Sequence, residues 1–181
     1  MYPRKYSSEG IVLARRNFSE ADRILVVFSK HQGKLSLLAK GVRKLKSRKR
    51  AHIEIFNRIK FSSYHGRGLD LMMEAEIIDS FSDVKKDLKR VAVAYFFAEV
   101  IGRTTREGEK NEEIYEEIKG FLQRLRGGEN LKKLRSEFVY KVLIILGFWP
   151  RGKELVDPDR TLEEILERAP SSIRVGKRML Q

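Results

Sequence analysis

Between residues 8 and 79 apolar and polar side chains alternate in period two, interrupted by turn-forming residues at regular spacing, which predicts an antiparallel β domain of half-buried strands. Five strands can be read. The first, Glu9 to Arg16, sets Ile11 and Leu13 on one face; the second, Arg23 to Ser29, is continuously apolar from Ile24 to Phe28, as in a strand covered on both faces. His31-Gln-Gly33 turns the chain into a third, Lys34 to Lys40, with Leu35, Leu37 and Ala39 facing one way and Lys34, Ser36 and Lys40 the other. In the fourth, Ile53, Ile55, Asn57, Ile59 and Phe61 alternate with Glu54, Phe56, Arg58 and Lys60. His65-Gly-Arg-Gly68 supplies a hairpin turn into the fifth, Leu69 to Asp79. Five strands with a long connection after the third suit a small barrel, and the OB-fold has that strand number.

After Ser80 the apolar period lengthens to three and four residues, which predicts helices. One runs from Asp83 to Arg103. A second, Asn111 to Arg126, is ended by Gly127-Gly128, residues that tolerate left-handed backbone. A third, Leu131 to Leu146, is apolar nearly all round from Phe138; Gly147 closes it and Pro150 bars its continuation. A short fourth starts at Asp157-Pro-Asp-Arg and ends before Pro170. The expected fold class is α+β: an OB-fold barrel over residues 1–80 and an all-helical bundle over 81–181.

Charge adds a direction. The chain of 181 residues carries 38 Lys and Arg against 25 Asp and Glu, a formal charge of +13. Residues 1–80 hold 17 cations and 8 acids, a balance of +9, whereas 81–181 hold 21 and 17, a balance of +4. Within the β half, seven of the eleven residues from 40 to 50 are cationic: Lys40, Arg43, Lys44, Lys46, Arg48, Lys49 and Arg50. Such a run between strands reads as a mobile loop, because seven like charges repel and none is cheaply buried. A phosphate backbone would order it by releasing counterions, while the plain alternative is a solvated loop that aids solubility. Aromatics serve single-stranded binding as stacking platforms; Phe56 shares a strand face with Arg58 and Lys60, and Tyr64 precedes Arg67 in the hairpin turn. Packing is the commoner role for aromatics so placed. Arg15, Arg16 and Arg23 flank the first strand connection, where they either extend the basic surface or pair with Glu20 and Asp22.

Much chemistry is excluded. The chain has no cysteine, so disulfides, Cys-ligated zinc, iron–sulfur clusters and thiol nucleophiles fall away. No phosphate-cradling Gly-Lys-Ser/Thr loop, His-Glu-x-x-His helix or Gly-x-Ser-x-Gly elbow occurs. His31, His52 and His65 fall in turns and loop ends. Asp70, Glu74 and Glu76 share a face of the fifth strand and are the one acid group suited to a metal, against the reading of a solvated face. The reading is of a protein that is not an enzyme and needs no cofactor. The first residues lack a signal-peptide core, and the longest apolar stretch, Val142 to Trp149, is far short of the roughly 20 residues of a bilayer span. A soluble cytoplasmic protein is expected.

Several phrases occur together in order: Glu9-Gly-Ile-Val-Leu, Ser19-Glu-Ala-Asp-Arg23, His31-Gln-Gly-Lys-Leu35, Ala39-Lys-Gly-Val-Arg43 with Ser47-Arg48, Gly66-Arg-Gly-Leu69, Glu74-Ala-Glu76, and Phe138 through Gly147 to Phe148. As a set they resemble the bacterial recombination mediators of the RecO family, over roughly residues 8–150. The resemblance implies a non-enzymatic protein that binds single- and double-stranded DNA and anneals complementary strands. It also implies partnership with RecR and help for RecA in displacing single-strand binding protein, whose acidic C-terminal tail the helical domain recognises. The family's basic loop motif falls on Lys40, Gly41, Arg43, Lys44, Ser47 and Arg48, its basic position after the turn glycine on Lys34, and tail recognition on Arg135 and Lys141. Many relatives carry a cysteine zinc module after the Leu-Gly-aromatic phrase; its absence makes this a short, zinc-free form on this reading, with Val175-Gly-Lys-Arg-Met-Leu180 as a remnant of the basic tail end. DNA binding by the barrel is the favoured reading. An OB-fold RNA-binding protein and a structural adaptor are the alternatives, separable by competition between single-stranded DNA and RNA and by affinity near physiological salt.

Overall fold

A computed structural model describes residues 5–166. The Val175 to Leu180 stretch lies outside them. Five strands come first: β1 (Lys5–Asn17), β2 (Arg23–Ser29), β3 (Gly33–Ala39), β4 (Arg58–Tyr64) and β5 (Asp70–Asp79). Their order, β1-β2-β3-β5-β4, closes into a barrel, because β1 pairs antiparallel with both β2 and β4. The closure between β3 and β5 is short and parallel, through Leu37–Asp70 and Leu38–Leu71. This is the OB-type barrel that the spacing predicts.

Period two decides what fills the barrel. Leu25 and Val27 of β2, Leu37 and Ala39 of β3, Ile59 and Phe61 of β4 and Met72 and Ala75 of β5 form one buried cluster. On β1 the inward residue is Val12, since a bulge between Val12 and Ala14 resets the alternation. Ile11 and Leu13 are buried as well, but outside that cluster.

The predicted fourth strand starts late. Residues 53–57 alternate in sequence yet form turns, and pairing begins only at Arg58. Phe56 takes a φ of 71°, unusual for a side chain of its size, and its N–H donates to the Val12 carbonyl (2.9 Å) while the Val12 N–H donates to Asn57 (3.0 Å). The turn thereby fills the gap that the β1 bulge leaves. Ile53 is buried for another reason: it joins Val42 in plugging the barrel's interior.

The helices are α1 (Leu88–Thr104), α2 (Glu112–Arg124), α3 (Leu131–Ile145) and α4 (Pro158–Leu166). α1 starts five residues later than its apolar period suggests because Asp87 caps it, accepting from the amides of Lys89 (2.9 Å) and Arg90 (3.3 Å). α2 ends at Arg124 in a turn closed by the Gly127 N–H on the Arg124 carbonyl (3.0 Å), and the positive-φ ending expected of Gly127-Gly128 is not used. It is used at Gly147 (φ 77°), where the Phe148 amide bonds back to Leu143 (2.8 Å). Phe97, Phe121 and Phe138 form the helical core, with ring centroids 4.2 to 5.7 Å apart.

The described residues fall into two compact units: those up to 80 with 105–115, and 81–104 with those from 116 onward. Segment 105–115, the link after α1 together with the first turn of α2, therefore groups with the barrel. It is bonded to β3 by the Gly108 N–H on the Lys34 carbonyl (2.8 Å) and by the Ser36 N–H on the Glu107 carboxylate (2.8 Å). Gly33 (φ 71°) makes room for it: a Cβ there would stand 1.9 Å from the Glu109 carbonyl oxygen. Among the described residues no helix is long and apolar enough to cross a membrane.

Candidate nucleic-acid interface

The cationic run after β3 is a folded cap, not the mobile loop its charge suggests. Val42 is fully buried among the barrel's apolar side chains, and the segment proceeds as successive turns through the Lys44 amide on Gly41 (3.2 Å), Ser47 on Lys44 (3.0 Å) and His52 on Lys49 (3.1 Å). Its start is fastened to the β1–β2 turn, where Arg43 N–H donates to the Ala21 carbonyl (2.9 Å) and Gly41 N–H to the Asp22 carboxylate (2.8 Å). Its end is fastened to β5, where Lys49 Nζ donates to Met73 O (3.1 Å) and His52 Nδ1 lies 2.7 Å from Ala75 O. Two buried apolar anchors and backbone bonds outweigh the mutual repulsion of the cations, most of which stand in water, where repulsion is weak. Lys40, Arg43, Lys44, Lys46 and Arg50 are exposed.

At the same end the inward face of the barrel turns from apolar to cationic. Arg23 continues the series of Leu25 and Val27, and Arg15 lies opposite Leu25. Neither follows the predicted pairing with Glu20 or Asp22. Arg15 donates to Glu54, and Arg23 Nε to Asn17 Oδ1 (3.3 Å). Arg23 Nη1 is shielded from water and has no hydrogen-bond partner. Burial lowers the Arg23 guanidinium from its ordinary value, Arg15, Arg50 and Arg43 lower it further, and Glu54 opposes them. Four arginines thus gather at the mouth of the barrel.

The remaining candidates divide. Tyr64 and Arg67 are exposed in and after β4. Lys60 is exposed but stands between carboxylates, opposite Glu9 on β1 and Glu76 on β5, and lines a shallow groove of about 190 Å³ with Ser62 and Glu74. That face is not a basic one. Arg58 is half-buried opposite Asp79. Phe56 is 3% exposed and cannot stack a base, because the positive φ swings it inward. Lys34 is half-buried and donates to the Thr105 carbonyl; burial lowers its pKa, with Glu107 opposing, so it serves the attachment of segment 105–115. Of Arg48 only the backbone, in a short turn of 3₁₀ helix, is described. Asp70 is engaged by the Tyr6 hydroxyl (2.8 Å) and by His65 (3.1 Å), so it does not converge with Glu74 and Glu76, and no group of three potential ligands placed to hold a metal occurs among the described residues.

In the helical unit Arg135 is 9% exposed, lies 4.0 Å from the centre of the Phe96 ring and donates to Asp159 (2.7 Å). Burial lowers its pKa and Asp159 opposes. It fastens α4 to α3 and is not available to a partner's tail. Lys141 remains half-exposed beside Glu117 (3.3 Å).

One residue was not anticipated. Phe18, the first residue of the β1–β2 turn, is 54% exposed. Its only sequence signal is a large aromatic between Asn17 and Ser19, where turn residues belong.

The fold and this site define a class: an OB-type barrel joined to a helical unit, with its cations gathered at one end of the barrel. Two family models match in succession, Recombination protein O N terminal over residues 1–81 and Recombination protein O C terminal over 85–164. The chain belongs to the recombination protein O family. It is similar to the DNA repair protein RecO of Pelotomaculum thermopropionicum, 34% identical over 145 residues that make 80% of this chain and 56% of that one. It is also similar to those of Symbiobacterium thermophilum (32% over 147 residues, 80% and 58%) and Listeria welshimeri (30% over 142 residues, 78% and 56%). The chain spans a little over half the length of these curated relatives.

Proposed function

We propose that the barrel unit binds the phosphate backbone of single- and double-stranded DNA without sequence preference, and that the protein acts in recombinational repair as a non-enzymatic mediator. The observation that carries this reading is the cationic cap seated against the arginine-lined mouth of an OB-type barrel. Family membership supports it, and so do relatives named for DNA repair. Cations aimed at phosphates fix a strand's position and carry no base information. By neutralising two strands at once they lower the repulsion that opposes pairing, which is the step that anneals complementary strands. Partnership with RecR, contact with the acidic tail of single-strand binding protein and assistance to RecA loading belong to the same proposal through the family, which assigns the tail to the half-exposed Lys141 and no longer to the buried Arg135.

Salt dependence is the direct test. With about five phosphates engaged on a single strand, log affinity should fall against log salt with a slope of roughly −3 to −4. An affinity indifferent to salt refutes the proposal; no affinity near physiological ionic strength refutes it and favours a structural adaptor.

A further inference from the structure

We propose that the mouth of the barrel is a single-strand nucleotide site in which Arg23 and Arg43 hold one backbone phosphate and Phe18 stacks the neighbouring base. The inference rests on the nucleic-acid reading above and adds to it a basis for preferring single strands to duplex.

The corner is rigid where it needs to be. The β1–β2 turn is closed by the Phe18 N–H on the Asp22 carbonyl (3.2 Å). Three further hydrogen bonds tie it to the cationic cap: Arg43 N–H to Ala21 O (2.9 Å), Gly41 N–H to Asp22 Oδ1 (2.8 Å) and Arg43 Nη1 to Ser19 O (2.7 Å). The last of these fixes a guanidinium one residue from Phe18. With 54% of its surface in water, the ring gives the turn little packing.

The chemistry selects an anion. Arg23 makes one side-chain hydrogen bond, to Asn17 Oδ1 (3.3 Å), and its buried Nη1 meets no acceptor, so the guanidinium is left without a carboxylate oxygen. Glu54 is engaged by Arg15 and Asp22 by the Gly41 amide, so neither supplies that oxygen; Glu20 stands exposed nearby. A phosphodiester offers two oxygens to guanidinium forks. The aromatic then narrows the ligand. A base inside a duplex has both faces covered by its neighbours, whereas a single strand can lay one on Phe18. An acidic peptide would answer to the arginines and be indifferent to the ring.

The test compares the full chain with its Phe18→Ala, Phe18→Trp and Arg23→Gln variants, using fluorescence anisotropy of a labelled oligothymidine of about 15 nucleotides, which spans one OB barrel, and of a duplex of equal length. Phe18→Ala should weaken the single strand about tenfold and leave the duplex within about twofold, while Phe18→Trp restores single-strand binding. Arg23→Gln should weaken both and reduce the steepness of the single-strand salt dependence by about 0.7. An unchanged ratio of single-strand to duplex affinity in Phe18→Ala overturns this inference alone. Failure of the unaltered chain to bind either probe overturns both this inference and the function proposed above.

Discussion

In the helical unit Arg124 donates to both Glu129 (2.6 Å) and Glu137 (2.8 Å), Arg126 to Asp83 (2.8 Å) and Arg135 to Asp159 (2.7 Å), whereas at the barrel mouth three guanidiniums and only Glu54 act on Arg23. The same residue type is used in two ways. Arginines balanced by carboxylates hold the helical unit together and leave little field for a ligand to feel. Arginines gathered faster than acids leave a field. Net charge per half, +9 against +4, anticipates this difference but does not explain it; pairing does.

Three variants test that contrast. The largest effect is expected from Lys40, Lys44 and Lys46 together changed to Ala, exposed cations of the cap. Loss of three phosphate contacts should weaken single-stranded DNA roughly 50-fold near physiological salt, for every base sequence alike. Urea unfolding should move by less than about 0.5 kcal/mol. Intermediate is Arg135→Ala, which leaves Asp159 without its partner and Phe96 without its covering cation; about 1–3 kcal/mol of stability should be lost with DNA affinity unchanged. A variant that kept its stability and lost DNA would place Arg135 with the barrel cations and end the comparison.

The smallest effect concerns pH. Hydrogen bonds from Arg124, chiefly, hold Glu137 below its ordinary value of 4.5. A carboxylate lowered on folding contributes stability that is fully present above that ordinary value and is lost as pH falls through the lower, folded one. Glu137 is partly exposed, so solvent screening limits its share to on the order of 0.5 kcal/mol. Arg124→Met should accordingly make stability less dependent on pH below about 4.5, visible as a flatter series of urea midpoints. An unaltered series would show that the ion pairs of the helical unit are as idle as those of an ordinary surface.

How much could be read in advance varies with what each signal measures. β2 spans Arg23 to Ser29 in pattern and in structure alike, and β3 and β5 differ by one residue at their ends, because alternation reports directly on which side chains face a core. The same alternation misleads at Ile53 to Asn57, where burial comes from plugging and turning, not from pleat. Charge density found the cap yet misjudged its stiffness, since Val42 is a single letter among seven cations. The mouth was illegible for a different reason. Arg15, Arg23, Arg43 and Arg50 are scattered along the chain, and only the bulge on β1, the closure of the barrel and the bonds between two turns bring them to one place.

The attachment of residues 105–115 to β3 bears on heredity. Chain order and spatial order interleave: barrel, helix, barrel segment, helices. A genetic exchange that imported residues 1–80 alone would arrive without the strip lying against Gly33 and Lys34, and one that imported 81–181 would carry that strip away from its seat. Neither half travels well as a cassette. Recombination between distant members of the family should therefore be tolerated less well at the apparent seam near residue 80 than the abrupt change in the sequence there suggests.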